Sequence, residues 1–270
     1  MRLTLFPFAL NGALAMSIVS CSAFASSRLA IATNPIAACP VAMVAVAPSQ
    51  FSTGALCIDR TEVTVAAYRA CVAAGVCDPP AKQAEAGWFS SRREQLLWSS
   101  FCNASRSDRD SHPINCINHY EARTYCRYRG ARLPTSVEWE LAAFGAPTQR
   151  RLYPWGDAPP DTTRVNACGA ECSHALASKG VAWGDKGIAS DRWPSTAPVG
   201  SFPKGASAYG ALDMLGNVWE WTDNTSHATS AAEVYRGRGW SDPSPSQSTL
   251  GEGPKNMRVP DLGFRCALDH

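Results

Sequence analysis

Gly216-Asn217-Val218-Trp219-Glu220-Trp221 sets two tryptophans and an acid behind a Gly-Asn turn. Two segments of the same kind precede it. Gly130-Ala131-Arg132-Leu133-Pro134-Thr135 runs into Glu138-Trp139-Glu140, and Tyr153-Pro154-Trp155-Gly156-Asp157 follows. The whole chain shares this character, with 20 Gly, 19 Pro and nine Trp in 270 residues. Such a composition predicts a turn-rich, compact protein whose long irregular segments are tied down by aromatic side chains, and it excludes a helical bundle.

Regular structure is legible around these segments. Thr135-Ser136-Val137-Glu138 is a capping-box pattern just after Pro134, opening a helix that ends at Gly145. Asn118-His119-Tyr120-Glu121 is another, opening a helix that ends at Gly130. Thr64 is a good N-cap for a helix reaching Gly75, and the apolar run 41–46 reads as a strand. The stretch from Cys77 to His112 is polar and aperiodic and reads as a long loop. From Tyr153 to Pro203 little regular structure is expected. Long structureless stretches in a compact domain usually hold ions or ligands. With no internal repeat and no composition break, residues 37–270 are read as one domain.

Charge and composition narrow the function. The formal net charge is +2, and the basic residues are scattered rather than striped, which argues against a nucleic-acid partner. Hydrophobic residues make up 45% of the chain, too many for disorder at so low a net charge. Residues 1–25 read as an export signal, with Arg2 as a thin basic start and an apolar run from Leu3 to Val19. Pro7, Asn11 and Gly12 interrupt that run and leave it short for a membrane span. Two cleavage readings stay open. Ala23-Phe24-Ala25 suits ordinary secretion, and Ile18-Val19-Ser20-Cys21 is a lipobox that would lipidate Cys21 and attach the protein to a membrane. Residues 26–36 are a small-residue linker. The expected location is therefore periplasmic or outer-envelope as a lipoprotein, or secreted.

Ten cysteines remain beyond Cys21, an even number that reads as a disulfide framework in an exported chain. Zinc would need paired C-x-x-C elements or nearby histidines. The close pairs are six and four residues apart, and His174 is the only histidine near either.

Taken together and in order, the three tryptophan segments, Cys57-Ile58-Asp59-Arg60-Thr61-Glu62-Val63-Thr64 upstream and Gly263-Phe264-Arg265-Cys266 at the end resemble the formylglycine-generating enzyme, or sulfatase-modifying factor, family. The resemblance covers nearly the whole mature chain. It implies an α+β fold, the irregular formylglycine-generating-enzyme variant of the C-type-lectin-like fold, low in regular secondary structure and stabilised by disulfides. It also implies calcium at two sites. The first falls on Asn166, Ala167, Asp191 and Trp193, and the second on Asp213, Gly216, Val218 and Glu220, with backbone carbonyls serving at Ala, Trp, Gly and Val. Carboxylates and carbonyls on loops suit a hard cation. The same resemblance pairs Cys126 with Cys266, closing a loop of about 140 residues, worth about 4–5 kcal/mol in the chain-entropy model. Proximity assigns Cys71–Cys77, Cys102–Cys116 and Cys168–Cys172, and elimination assigns Cys39–Cys57.

Family members that oxidise a sulfatase cysteine to formylglycine hold copper(I), a soft ion, between two cysteines near the C-terminus. Here those positions fall on Asp242 and about Gln247, within a segment that contains no cysteine. The preceding Arg236-Gly237-Arg238-Gly239-Trp240 carries Gly239 where the family has serine. Copper is therefore not expected, and no catalytic residue is assigned. Related sulfoxide synthases use iron on three histidines, but His112, His119, His174, His227 and His270 show no ligand spacing, and His119 reads as a packing or capping residue. No nucleophile elbow and no phosphate-binding loop is present. The leading expectation is a binding or scaffold module at the cell envelope. It would recognise a protein, peptide or glycan through a variable loop from Trp240 to Leu262. The alternative is a divergent metal-dependent oxidoreductase of the same family, acting on a protein or secreted metabolite. Asn103 and Asn224 stand in glycosylation sequons.

Overall fold

Among the described residues five short α-helices and seven short strands, joined by irregular connections, position the site. A computed structural model describes residues 38–47, 55–181, 190–224, 230–242 and 249–269. All of them fall within one unit, Ile36–His270. The expected export signal and Cys21 lie outside the described residues, as do Gln247, His227 and His270. Among the described residues no helix is long and apolar enough to cross a membrane.

The first sheet is antiparallel, in the order β1 (Met43–Val46), β2 (Leu56–Asp59), β7 (Ala267–Asp269). It brings the last strand back onto the second, with Cys57 opposite Leu268. The strand expected over 41–46 begins two residues later, because Val41 sits in a turn after Pro40 and is fully exposed. The second sheet runs β5 (Leu250–Pro254), β4 (Ala232–Arg236), β3 (Trp219–Trp221), β6 (Leu262–Gly263). Its β3–β6 pair is parallel, with Trp219 beside Leu262. The segment expected as a variable loop from Trp240 to Leu262 thus contains a ladder strand, β5, registered against β4 from Ala232–Pro254 to Arg236–Leu250.

Helix α1 (Val65–Ala73) is capped by the Thr64 hydroxyl, which accepts from the Ala67 N–H. Helices α3 (His119–Tyr128) and α4 (Ser136–Phe144) both close complete capping boxes, Asn118 with Glu121 and Thr135 with Glu138. Gly130 and Gly145 follow them with φ of +70° and +84°. That left-handed backbone favours glycine and stops each helix where the sequence reading places its end.

Two helices occupy stretches expected to be irregular. Helix α2 (Arg92–Ser99) lies in the expected Cys77–His112 loop. Its Ser91 hydroxyl caps the Glu94 N–H while the Glu94 carboxylate accepts from Ser90. Its residues are mostly half-exposed, so it lacks the apolar stripe that announces a helix. Helix α5 (Ala170–Ser178) lies in the expected Tyr153–Pro203 loop, with Gly169 supplying no side-chain cap. It is held by burial of Leu176 and by a Cys168–Cys172 bridge across its first turn.

Among the described residues there are five disulfides, Cys39–Cys57, Cys71–Cys77, Cys102–Cys116, Cys126–Cys266 and Cys168–Cys172. The largest core cluster gathers Tyr68, Ile114, Ile117, Tyr125, Leu133, Trp221 and Phe264 around Cys126–Cys266. A second packs Trp139 and Phe144 of α4 against Ile58 of β2 and Met214. Each of these large side chains contributes about 1.5–3 kcal/mol by leaving water. Asn103, in the first glycosylation sequon, is buried with its amide donating to Pro113 and Thr196, so it presents no acceptor at the surface.

Candidate functional site

The chain leaves β4 at Arg236 and turns through Gly237, at φ +94°, into Arg238-Gly239-Trp240-Ser241-Asp242. Gly239 is dictated by its neighbours: a Cβ there would lie 2.6 Å from Asp261 Cβ and 3.0 Å from Trp219 Cδ1. Any side chain at this position requires Asp261 or Trp219 to move. Trp240 anchors the turn. It is buried, its indole N–H donates to the Pro260 carbonyl at 3.0 Å, and its ring packs 4.9 Å from Phe101. The Cys168–Cys172 bridge and Leu176 of α5 complete that cluster.

Asp242 closes the turn on itself. Its carboxylate accepts from the Gly239 N–H at 2.8 Å and from Arg238 at 3.4 Å, and its carbonyl accepts from the Cys168 N–H. Burial raises its carboxyl above the ordinary range, against the Gly239 N–H and Arg238. Asp261 stands beside it and accepts from the Ser241 hydroxyl at 2.5 Å. Burial, then the Asp242 charge, push the Asp261 carboxyl up to about 6. Trp88, Phe89, Trp98, Ser241, Val259, Pro260 and Asp261 line a recess of about 140 Å³ at this point. Aromatic walls with one acidic group suit a small apolar or cationic group. A wider recess of about 510 Å³ over α5 offers mainly alanine and proline, with Glu171 and His174.

The ten cysteines past the linker are all oxidised in pairs, so none offers a thiolate here. Chemistry at the Asp242 turn belongs to carboxyl, hydroxyl, indole and guanidinium groups.

The first expected calcium set is brought together. The Asp191 carboxylate accepts from the Ala167 N–H at 3.1 Å and the Trp193 N–H at 2.8 Å. Burial pushes its carboxyl up to about 6, against those two donors. Asn166 donates its amide to Ser195, while its Oδ1 is buried without a hydrogen-bond partner. An orphaned carbonyl oxygen near a buried carboxylate fits a hard cation.

The second set lies around the buried ion pair of Glu220 and Arg265. Arg265 Nε and Nη2 donate to the two oxygens of Glu220 at 2.6 and 2.7 Å, and Trp139 Nε1 donates to the same carboxylate. Asp213 accepts from the Gly200 N–H. Gly216, at φ +85°, has no room for a Cβ, which would strike the Asn166 carbonyl and Val165. The sequence reading left out Glu62, a third carboxylate beside Asp213 and Glu220 here. It accepts from Asn217 at 3.0 Å, and its other oxygen is buried without a partner. Burial, then the Asp213 charge, raise its carboxyl well above the ordinary range. Burial also raises Asp213, against the Gly200 N–H and Arg265. Three carboxyls against one guanidinium leave an excess that protons or a divalent cation can balance, so this set also fits on charge. Glu62 stands in the quoted Cys57–Thr64 motif. Asp261 carried no local signal, because only folding places it beside Asp242.

His112 is buried beside Arg109 and Thr196, and burial, then Arg109, push it down to about 4. Among the described residues one group of three ligand-type side chains approaches within 4.8 Å: His119, Asp223 and Glu233.

A family model described as the sulfatase-modifying factor enzyme 1-like domain matches residues 29–270. Hercynine oxygenase of Mycolicibacterium smegmatis is 38% identical over 62% of this chain and 36% of its own length. The inactive C-alpha-formylglycine-generating enzyme 2 of Bos taurus is 34% identical over 57% of this chain and 50% of its own length. The chain thus spans half or less of these curated relatives. The crystal structure of CarF superposes with a TM-score of 0.58 at 19% identity, covering 86% of this chain and 99% of that one. The fold is the formylglycine-generating-enzyme-like variant of the C-type-lectin-like fold.

Proposed function

This chain belongs to the sulfatase-modifying factor family, and we propose that it is a member without copper-dependent formylglycine-generating activity, acting as an exported binding or scaffold module at the cell envelope. The observation that carries this reading is the Asp242 turn. Where the resemblance puts a copper thiolate, a carboxylate is folded back onto the Gly239 N–H and Arg238, and the ten cysteines of the domain are spent on disulfides. An inactive relative is consistent with loss of this chemistry on a retained fold.

The recess walled by Trp88, Phe89 and Trp98 over Asp261 is the recognition surface in this reading. It takes an apolar or cationic group of a protein, peptide or glycan. Calcium, held by Asn166, Asp191 and the carbonyls of Ala167 and Trp193, and by Asp213, Glu220 and the carbonyls of Gly216 and Val218, would tie these loops together. Lipid on Cys21 would attach the module to the membrane. The second reading, a metal-dependent oxidoreductase, is supported by the likeness to hercynine oxygenase and by the His119 cluster.

Elemental analysis, copper(I) titration and oxygen uptake on a sulfatase-motif peptide test the proposal. Calcium without stoichiometric copper, and no oxygen consumed, is the expected result. Copper at one equivalent with turnover overturns it.

A further inference from the structure

His119 opens α3, and its backbone N–H donates to the Lys255 carbonyl at 3.0 Å. Its imidazole is wholly buried, with Nε2 3.1 Å from the Thr222 carbonyl, 3.8 Å from Asp223 Oδ1 and 4.0 Å from Glu233 Oε2. Thr222 and Asp223 leave the end of β3, and Glu233 lies in β4. Glu233 Oε1 accepts from the Asn224 amide at 3.1 Å and the Val234 N–H at 3.2 Å. Its Oε2 is buried, accepts no hydrogen bond and faces the histidine. A buried carboxylate oxygen that accepts no hydrogen bond, with the Lys255 ammonium standing off at 3.6 Å, leaves room for a closer cation.

We propose that His119, Asp223 and Glu233 bind a borderline divalent ion of the first transition row, such as zinc, clasping the start of α3 to the β3–β4 pair. One imidazole nitrogen with two carboxylate oxygens is a donor set that suits such an ion better than calcium or copper(I). Atoms within 4.8 Å of one another leave a central point no more than about 2.8 Å from each, so side-chain adjustments of roughly 0.6–0.8 Å reach zinc bonds of about 2.0–2.2 Å. The Thr222 carbonyl stands beside the same nitrogen as a further oxygen.

Two cations already face the cluster. Arg123 Nε lies 3.0 Å from Asp223 Oδ2, and Lys255 Nζ lies 3.6 Å from Glu233 Oε2. A metal ion takes the place of the Nε2 proton and displaces the Lys255 ammonium, which therefore acts as an internal competitor. None of these residues belongs to the two calcium sets or to the Asp242 turn.

The test is calorimetric titration of the intact, disulfide-bonded chain with zinc, in excess calcium to saturate hard-cation sites. With its ten cysteines oxidised, the domain contributes no thiolate background. One equivalent should bind, His119→Gln and Asp223→Asn should each weaken binding at least about tenfold, and Lys255→Met should tighten it. Asp223 is partly exposed, so its variant keeps the test valid should the buried His119→Gln variant fail to fold. Absence of binding, unchanged affinity in Asp223→Asn, or no tightening in Lys255→Met overturns the proposal.

Discussion

Asp261 and Arg265, four residues apart in sequence, show how strongly position decides what a charge does. Arg265 is wholly buried and satisfied by Glu220 and by the carbonyls of Asp59, Arg60 and Leu212, so it joins β2, β3 and the C-terminal segment. Asp261 faces another carboxylate. Its carboxyl is pushed up to about 6, from 3.8, by burial and then by Asp242. Because the folded value exceeds the unfolded one, its stabilising contribution is present below about pH 3.8 and is lost as pH rises through about 6. Asp261→Asn fixes the neutral form. Thermal melts should therefore show parent and variant nearly equal at acid pH, with the variant more stable above neutrality. A constant offset at both ends would show that the carboxyl is not perturbed in the fold.

Among the elements, α2 and α4 make a useful pair, since both are capped by a hydroxyl with a glutamate three residues on. Helix α4 buries Trp139, Leu141 and Phe144, whereas α2 buries only Ser99. Removing the cap with Thr135→Ala should lower global stability by about 1 kcal/mol in denaturant unfolding. Ser91→Ala should leave global stability nearly unchanged and raise amide exchange locally, because an exposed helix opens without the core. The pairing explains the uneven legibility of the helices. Thr64, Asn118 and Thr135 announced α1, α3 and α4, because a cap and an apolar face are both local signals. Helix α5 follows Gly169, which gives no side-chain cap, and is held by a disulfide and by Trp240 from about seventy residues away, and no window around it contains that information.

For the whole molecule, irregular chain must be held by cross-links, and their worth scales with the loops they close. Cys126–Cys266 spans 140 residues and Cys71–Cys77 spans six. Double serine variants of the two pairs should differ in stability by about 3 kcal/mol, with loss of the long bridge the more harmful. Equal losses in chemical denaturation would mean that residual structure already constrains the unfolded chain.

The α+β class, the family, three helices with their stops, the ten cysteines beyond Cys21 and the absence of cysteine between Cys172 and Cys266 are legible in the chain before it folds. These follow from short-range chemistry: caps, periodicity, glycine stops and residue identity. Folding alone brings Glu62 to Asp213 and Glu220 around Arg265, sets Asp261 beside Asp242 at the edge of the Trp88, Phe89 and Trp98 recess, and carries His119 to Asp223 and Glu233. Each of those groups assembles side chains tens to hundreds of residues apart, and the burial that raises the carboxyls of Glu62, Asp213, Asp242 and Asp261 is encoded by no local pattern.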